Sequence, residues 1–377
     1  MLTSITIIDF ISLRDNFRNV WYLTHFNDRF GEYTRHMGYR VAINGYGRIG
    51  RSVLRALYES HHFRSLEIVA INELSDAVTM AHLTKYDTTH GRFPGEVGIS
   101  GNDLHVNNTL VRLTHEPDIE RLPWGALGVD VVLECTGSFT ERHRAEEHLR
   151  AGAKHVVFSQ PAEEDVDATI VYGINDHTLE PHHRVISNAS CTTNAGVPVL
   201  KVLNQAIGIE SGIITTIHSI MNDQPVIDAY HHHDLRRTRC AGQSIIPVDT
   251  GLARGIDRIL PELSGRFEAV SMRVPTINVS ALDITMVMSK QTRVAEVNQI
   301  LNQATLGRLS GILGYTEEPL ASCDFNHDSR SSVVDGCQTR VSGGRLVKIL
   351  TWFDNEWGYA NRMLDTAAVL LKISRLS

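Results

Sequence analysis

The sequence predicts an α/β domain built on a doubly wound parallel sheet, joined to an α+β domain with a mostly antiparallel sheet. Three observations predict it. Strand-like and helix-like runs alternate from 37 to 190, the pattern of a parallel sheet covered by helices. A glycine-rich turn joins the first strand to the first helix. From Ser211 onward, long β-branched runs take over, as an antiparallel sheet requires.

Residues 40–44 (Arg-Val-Ala-Ile-Asn) read as a buried strand, and Gly45-Tyr46-Gly47-Arg48-Ile49-Gly50 follows at once. Ile49, Val53, Leu54 and Leu57 then repeat at helical spacing. A second strand, 67–72, ends at Glu73. Gly45, Gly47 and Gly50 permit a tight turn, a close approach to a pyrophosphate and close helix packing. The helix start at Arg48 and Ile49 offers N–H groups to the phosphates, and Glu73 is placed to accept from a ribose 2′-hydroxyl. The expectation is a Rossmann-type domain that binds NAD. Residues 129–137 form a later strand ending in a Thr136–Gly137 turn. Strand ends of this kind line the cofactor crevice, and Cys135 reads as strand filling. A further strand is expected at 155–159.

Asn188-Ala189-Ser190-Cys191-Thr192-Thr193-Asn194 places one cysteine between a strand-like run (184–187) and an apolar helical run (197–207). A thiol at a helix N-terminus lies at the positive end of the helix dipole, which favours thiolate, the nucleophilic form. Residues 212–218 are strand-like and end at His218. Residues 269–275 and 281–288 are further strands, and 234–239 form a basic cluster in an acidic chain. Cys191, His218, Arg237 and Arg273 thus supply a nucleophile, a base and an anion clamp, since Arg offers a planar fork of donors. The run His231–His233 reads as loop, without metal-ligand spacing. Residues 354–359 lead into an apolar helix (Met363, Ala367, Leu370, Leu371) suited to return onto the nucleotide domain.

Composition narrows the function. The chain has 377 residues, 42% hydrophobic and 21% charged, enough for about two domains. Its formal charge of −7, from 36 basic and 43 acidic residues, argues against nucleic acid or an anionic membrane as partner. Five cysteines without a Cys-x-x-Cys pair suit a reducing, cytoplasmic setting and give no metal site. No apolar run reaches the ~20 residues of a membrane helix. Residues 1–36 lack a clear pattern, and Met37 stands just before the first strand. They are expected to be a poorly ordered extension. The nucleotide domain is expected over 37–190 and 355–377, and the catalytic domain over 191–354.

Gly45 to Arg51, Asn188 to Asn194, Arg273-Val274-Pro275-Thr276 and Asn355-Glu356-Trp357-Gly358 resemble the glyceraldehyde-3-phosphate dehydrogenase family across 38–374. The resemblance implies Cys191 as nucleophile, His218 as base, Asn355 as holder of the nicotinamide carboxamide, and Glu73 as partner of the adenosine ribose. Ser190, Thr192, Thr250, Gly251, Arg237 and Arg273 would line two anion sites. It also implies a homotetramer acting on a small aldose phosphate. Where glycolytic members carry a threonine three residues past the histidine, this chain has Met221. Residues 218–230, with 70–74 and 325–328, resemble the branch that oxidises erythrose 4-phosphate, cleaves its thioester with water and feeds pyridoxal phosphate synthesis. The alternatives are a phosphorylating enzyme of glycolysis and a non-catalytic NAD-binding or moonlighting protein.

Overall fold

The fold was obtained as a computed structural model that describes residues 38–60, 62–231 and 234–375. The expectations placed on 1–36 and on His232 and His233 lie outside the described residues.

The chain runs β1 (Tyr39–Asn44), α1 (Arg48–Glu59), β2 (Leu66–Asn72), α2 (Ala77–Lys85), a small hairpin β3 (Tyr86–Asp87) and β4 (Gly91–Arg92), then β5 (Val97–Ser100), β6 (Asp103–Val106) and β7 (Thr109–Thr114). It continues through β8 (Val131–Glu134), α3 (Arg142–Arg150), β9 (His155–Phe158), β10 (Ala168–Thr169) and β11 (Val185–Ser187). All of these strands but β3 and β4 form a nine-stranded sheet in the order β10-β11-β9-β8-β1-β2-β7-β6-β5. It is parallel from β10 to β7. Val41, Ala42, Ile43, Val131, Val132 and Leu133 have no exposed surface, because helices cover both faces of a parallel sheet and each strand reads as a continuous apolar run. The β5–β6–β7 edge is antiparallel.

The second half contains α4 (Cys191–Ala206), β12 (Ile209–His218), β13 (Ile246–Val248), α5 (Leu252–Ile259), β14 (Phe267–Arg273), β15 (Ser280–Met288) and α6 (Val294–Thr305). It ends with β16 (Leu313–Thr316), β17 (Ser332–Asp335), β18 (Arg340–Ser342), β19 (Leu346–Phe353) and α7 (Trp357–Ser374). Its eight-stranded sheet runs β13-β14-β12-β15-β19-β17-β16, with β18 on β19. The pairing is antiparallel except for β12 with β14 and β16 with β17. One core lies between this sheet and α4, α5 and α6. α7 joins the other core, where Trp357, Met363, Leu364, Leu370 and Leu371 pack with β1, β2 and α1.

A buried polar ladder fixes the strand ends that face the crevice. Asn44 pairs with Asn72 on one side and Glu134 on the other. Its Nδ2 donates to Glu134 Oε2 at 2.6 Å, and Asn72 Nδ2 donates to its Oδ1 at 2.8 Å. Glu134 also accepts from the Thr136 N–H at 2.9 Å and pairs with His148 Nε2 at 3.0 Å. A buried carboxylate needs such partners, and here they set the Thr136–Gly137 turn.

Candidate active site

α1 begins where the glycine turn ends. Gly45 has φ +87°, and a Cβ there would come within 2.6 Å of the Thr136 backbone. A Cβ on Gly50 would collide with the Gly45 carbonyl. Gly47 differs, because nothing lies within 4 Å of the position its Cβ would take. It also caps α1 without any side-chain bond to the first-turn N–H groups. An open cradle over an uncapped helix start is what a pyrophosphate fills. Glu73 lies beside it, accepting from the N–H groups of Tyr46 and Leu74 at 2.8 Å each, with carboxylate lone pairs remaining for a ribose hydroxyl. These residues fit NAD. Thr136 and Gly137 are exposed at the end of β8. The Arg48 guanidinium is committed elsewhere, to Asp87 and Glu356, so only its N–H remains for a phosphate.

Ser190 caps α4, accepting from the Thr193 N–H at 3.0 Å, and Cys191 is the first helical residue. β12 and β14 lie side by side and parallel, with His218 and Arg273 in register at their ends. The Cys191 Sγ is 3.8 Å from His218 Nε2, and His218 Nδ1 is 2.8 Å from the Ser219 carbonyl. A carbonyl only accepts, so Nδ1 carries the proton and Nε2 faces the sulfur as an acceptor.

Electrostatics correct one expectation. A helix start alone does not give a thiolate here: burial pushes the Cys191 thiol up to about 11, against the lowering by Arg273 and the first-turn N–H groups. Burial, then Arg273, pushes His218 down to about 4. The pair is therefore a thiol beside a neutral imidazole. Arg273 is itself buried at 8% exposure, and its Nε and Nη1 have no hydrogen-bond partner. Buried donors in native proteins are almost always satisfied, so an orphaned guanidinium marks a place for an anion.

The other anion-site candidates separate. Arg237 is ion-paired with Asp223 at 3.1 Å and Asp234 at 3.5 Å, although its Nε makes no hydrogen bond, so Arg273, with two orphaned donors and no carboxylate partner, is the more open of the two. Ser190, Thr193 and Gly251 line one cleft with Arg254 and Arg258. Thr192 joins the Ser190 hydroxyl at 2.9 Å, and Thr250 Oγ1 accepts from the Leu252 N–H at 3.3 Å at the start of α5. Met221 is 46% exposed on the loop after β12. Asn355 follows β19, with its Oδ1 accepting from Ser219 at 2.9 Å and Ser280 at 2.8 Å. Those bonds turn its Nδ2 away as a donor. Ser219 and Ser280 had no signal in the sequence, and neither did Arg254.

Fold and crevice define a two-domain, NAD-dependent oxidoreductase. Residues 39–142 match the family model for the glyceraldehyde 3-phosphate dehydrogenase NAD binding domain, and residues 190–355 match that for its C-terminal domain. The chain belongs to the glyceraldehyde 3-phosphate dehydrogenase family, and its cofactor is NAD. Among the described residues no helix is long and apolar enough to cross a membrane.

Proposed function

We propose that the chain oxidises D-erythrose 4-phosphate to 4-phosphoerythronate with NAD, a D-erythrose-4-phosphate dehydrogenase activity that feeds pyridoxal 5′-phosphate synthesis. It would act as a cytoplasmic homotetramer, with 37–190 and 355–377 binding NAD and 191–354 carrying the chemistry. The observation that carries this reading is Cys191 Sγ at 3.8 Å from His218 Nε2, beside the unpartnered guanidinium of Arg273.

Gly45, Gly47, Ile49, Gly50, the Arg48 N–H, Glu73, Thr136, Gly137 and Asn355 would hold NAD, which when bound would supply the hydride acceptor. Arg273 holds the substrate phosphate. Cys191 Sγ attacks the aldehyde carbon while His218 Nε2 moves the thiol proton to the aldehyde oxygen, giving a hemithioacetal. His218 then removes that hydroxyl proton as hydride leaves the carbon, and a thioester remains. The N–H groups at the start of α4 stabilise the oxyanion that forms when water attacks it. Water supplies the acid oxygen, and the thiol is regenerated. Met221 stands where a hydroxyl donor would serve a three-carbon phosphate, and its loss is worth about tenfold or more in binding. A four-carbon substrate extends its phosphate one bond further, toward Arg273.

A second reading is favoured by the cleft that gathers Ser190, Thr193, Gly251 and Arg254, which suits inorganic phosphate. In a phosphorylating glyceraldehyde-3-phosphate dehydrogenase that ion would cleave the thioester. NADH formation from each aldehyde, with and without phosphate, tests the choice. Erythrose 4-phosphate oxidation without phosphate is expected. Preference for glyceraldehyde 3-phosphate with an absolute need for phosphate would overturn the reading. Met221→Thr is expected to move kcat/KM toward the three-carbon substrate.

A further inference from the structure

Ala189, two residues before Cys191, has φ +56° and is 3% exposed. An L-residue in this left-handed region is disfavoured by roughly 5- to 30-fold per position. Strain of this kind persists only where surrounding contacts over-determine it. The chain adopts it because β11 must turn sharply into α4, with Ser190 extended as the cap.

The contacts that hold the turn come from three directions. The Ala189 N–H donates to Ser187 Oγ at 3.0 Å. Asn194 Nδ2 donates to the Asn188 carbonyl at 2.9 Å and the Ser190 carbonyl at 3.0 Å. The third set crosses from α7. Tyr359 donates its hydroxyl to the Ala189 carbonyl at 2.9 Å, and Thr366 Oγ1 donates to Asn188 Oδ1 at 2.7 Å. Positions 359 and 366 are two turns apart, so they lie on one face of the helix. Tyr359 is 4% exposed, and a phenol buried that deeply needs its partner. The same helix begins at Trp357, two residues after Asn355.

We propose that α7 braces the strained turn that aims Cys191, with Tyr359 as a positioning residue for the nucleophile. This rests on the reading that Cys191 is the reacting group. Without the hydroxyl, Ala189 relaxes toward an ordinary conformation and carries Ser190 and Cys191 with it. A glycine at 189 adopts the same backbone without strain, so it removes the need for the brace.

The experiment compares wild type, Tyr359→Phe, Ala189→Gly and the double variant. It measures NADH formation from glyceraldehyde 3-phosphate and from erythrose 4-phosphate, and the iodoacetamide labelling rate of the Cys191 peptide. Tyr359→Phe is expected to lower kcat about tenfold while the KM for NAD stays within about twofold. Ala189→Gly alone is expected to stay within about twofold of wild type, and the double variant to recover to within about threefold. Labelling of Cys191 is expected to slow in Tyr359→Phe and recover in the double variant. An unchanged kcat in Tyr359→Phe, or a double variant no faster than that single one, overturns the brace. If Tyr359→Phe does not fold, recovery of folding by Ala189→Gly supports the brace and continued failure overturns it. A wrong substrate assignment is read in the wild type instead, and the labelling series needs no substrate.

Discussion

Arg273→Gln removes the cation that the site leaves unpaired. Arg273 is 8% exposed, and two of its donors, Nε and Nη1, have no partner. A hydrogen bond to a charged group is worth about 1.5–3 kcal/mol. Two such bonds to a substrate phosphate therefore contribute about 3 kcal/mol at the low end, close to 150-fold in kcat/KM. Arg273 also acts on the chemical pair, lowering the Cys191 thiol and lowering His218, so its loss raises both. That part is blind to the phosphate. The assay is kcat/KM for erythrose 4-phosphate against unphosphorylated erythrose, in wild type and variant. We expect a loss of at least about 150-fold with the phosphorylated substrate and about tenfold or less without the phosphate. Stability should move the other way. Burial opposes the Arg273 charge, so a neutral residue there should leave the melting temperature equal or higher. Equal losses with both substrates would refute a phosphate clamp, and a strongly destabilised variant would refute the claim that the guanidinium is unpaired.

Cys191→Ser is expected to abolish NADH formation while NAD binding, followed by tryptophan fluorescence, stays intact; this also separates a catalyst from a mere NAD-binding protein. Glu73→Gln keeps an acceptor for Tyr46 but removes the charge that repels a 2′-phosphate, so the NAD-over-NADP ratio in kcat/KM should fall at least ~10-fold with little change in melting temperature. His218 is pushed down to about 4 by burial, against about 6.5 unfolded. Its contribution is complete above pH 6.5 and is lost as pH falls toward 4, about 3 kcal/mol in all. His218→Gln should flatten the decline in melting temperature across that window, and an unchanged slope would show that His218 is not buried neutral.

The nucleotide sheet was legible because its strands are buried on both faces. Runs such as Val131–Glu134 carry no polar alternation, and the glycine turn marks where a strand becomes a helix. The β5–β6–β7 edge was not legible. Its strands are short, Asn107 turns the β6–β7 hairpin with φ +51°, and exposed residues interrupt the pattern. In the second sheet the β-branched runs signalled strands but not direction. The parallel pairing of β12 with β14, which brings His218 beside Arg273, depends on the long connection between them.

Residues at the ends of elements were legible as chemistry; the contacts that tune them were not. Sequence placed Cys191 at a helix start and inferred a thiolate from the dipole. It could not show that desolvation at this half-buried position outweighs the dipole and pushes the thiol up to about 11. Arg237 and Arg273 looked alike as basic residues, yet the fold gives Arg237 two carboxylates and leaves Arg273 with orphaned donors. Arg48 likewise meets Glu356, 308 residues away. A satisfied cation contributes to the fold, whereas an unsatisfied buried one costs stability that only a ligand can return. What sets Arg273 apart from Arg237 is that the chain offers it no carboxylate partner while two of its donors stay orphaned. That property belongs to three-dimensional partner lists, and no residue type or spacing encodes it.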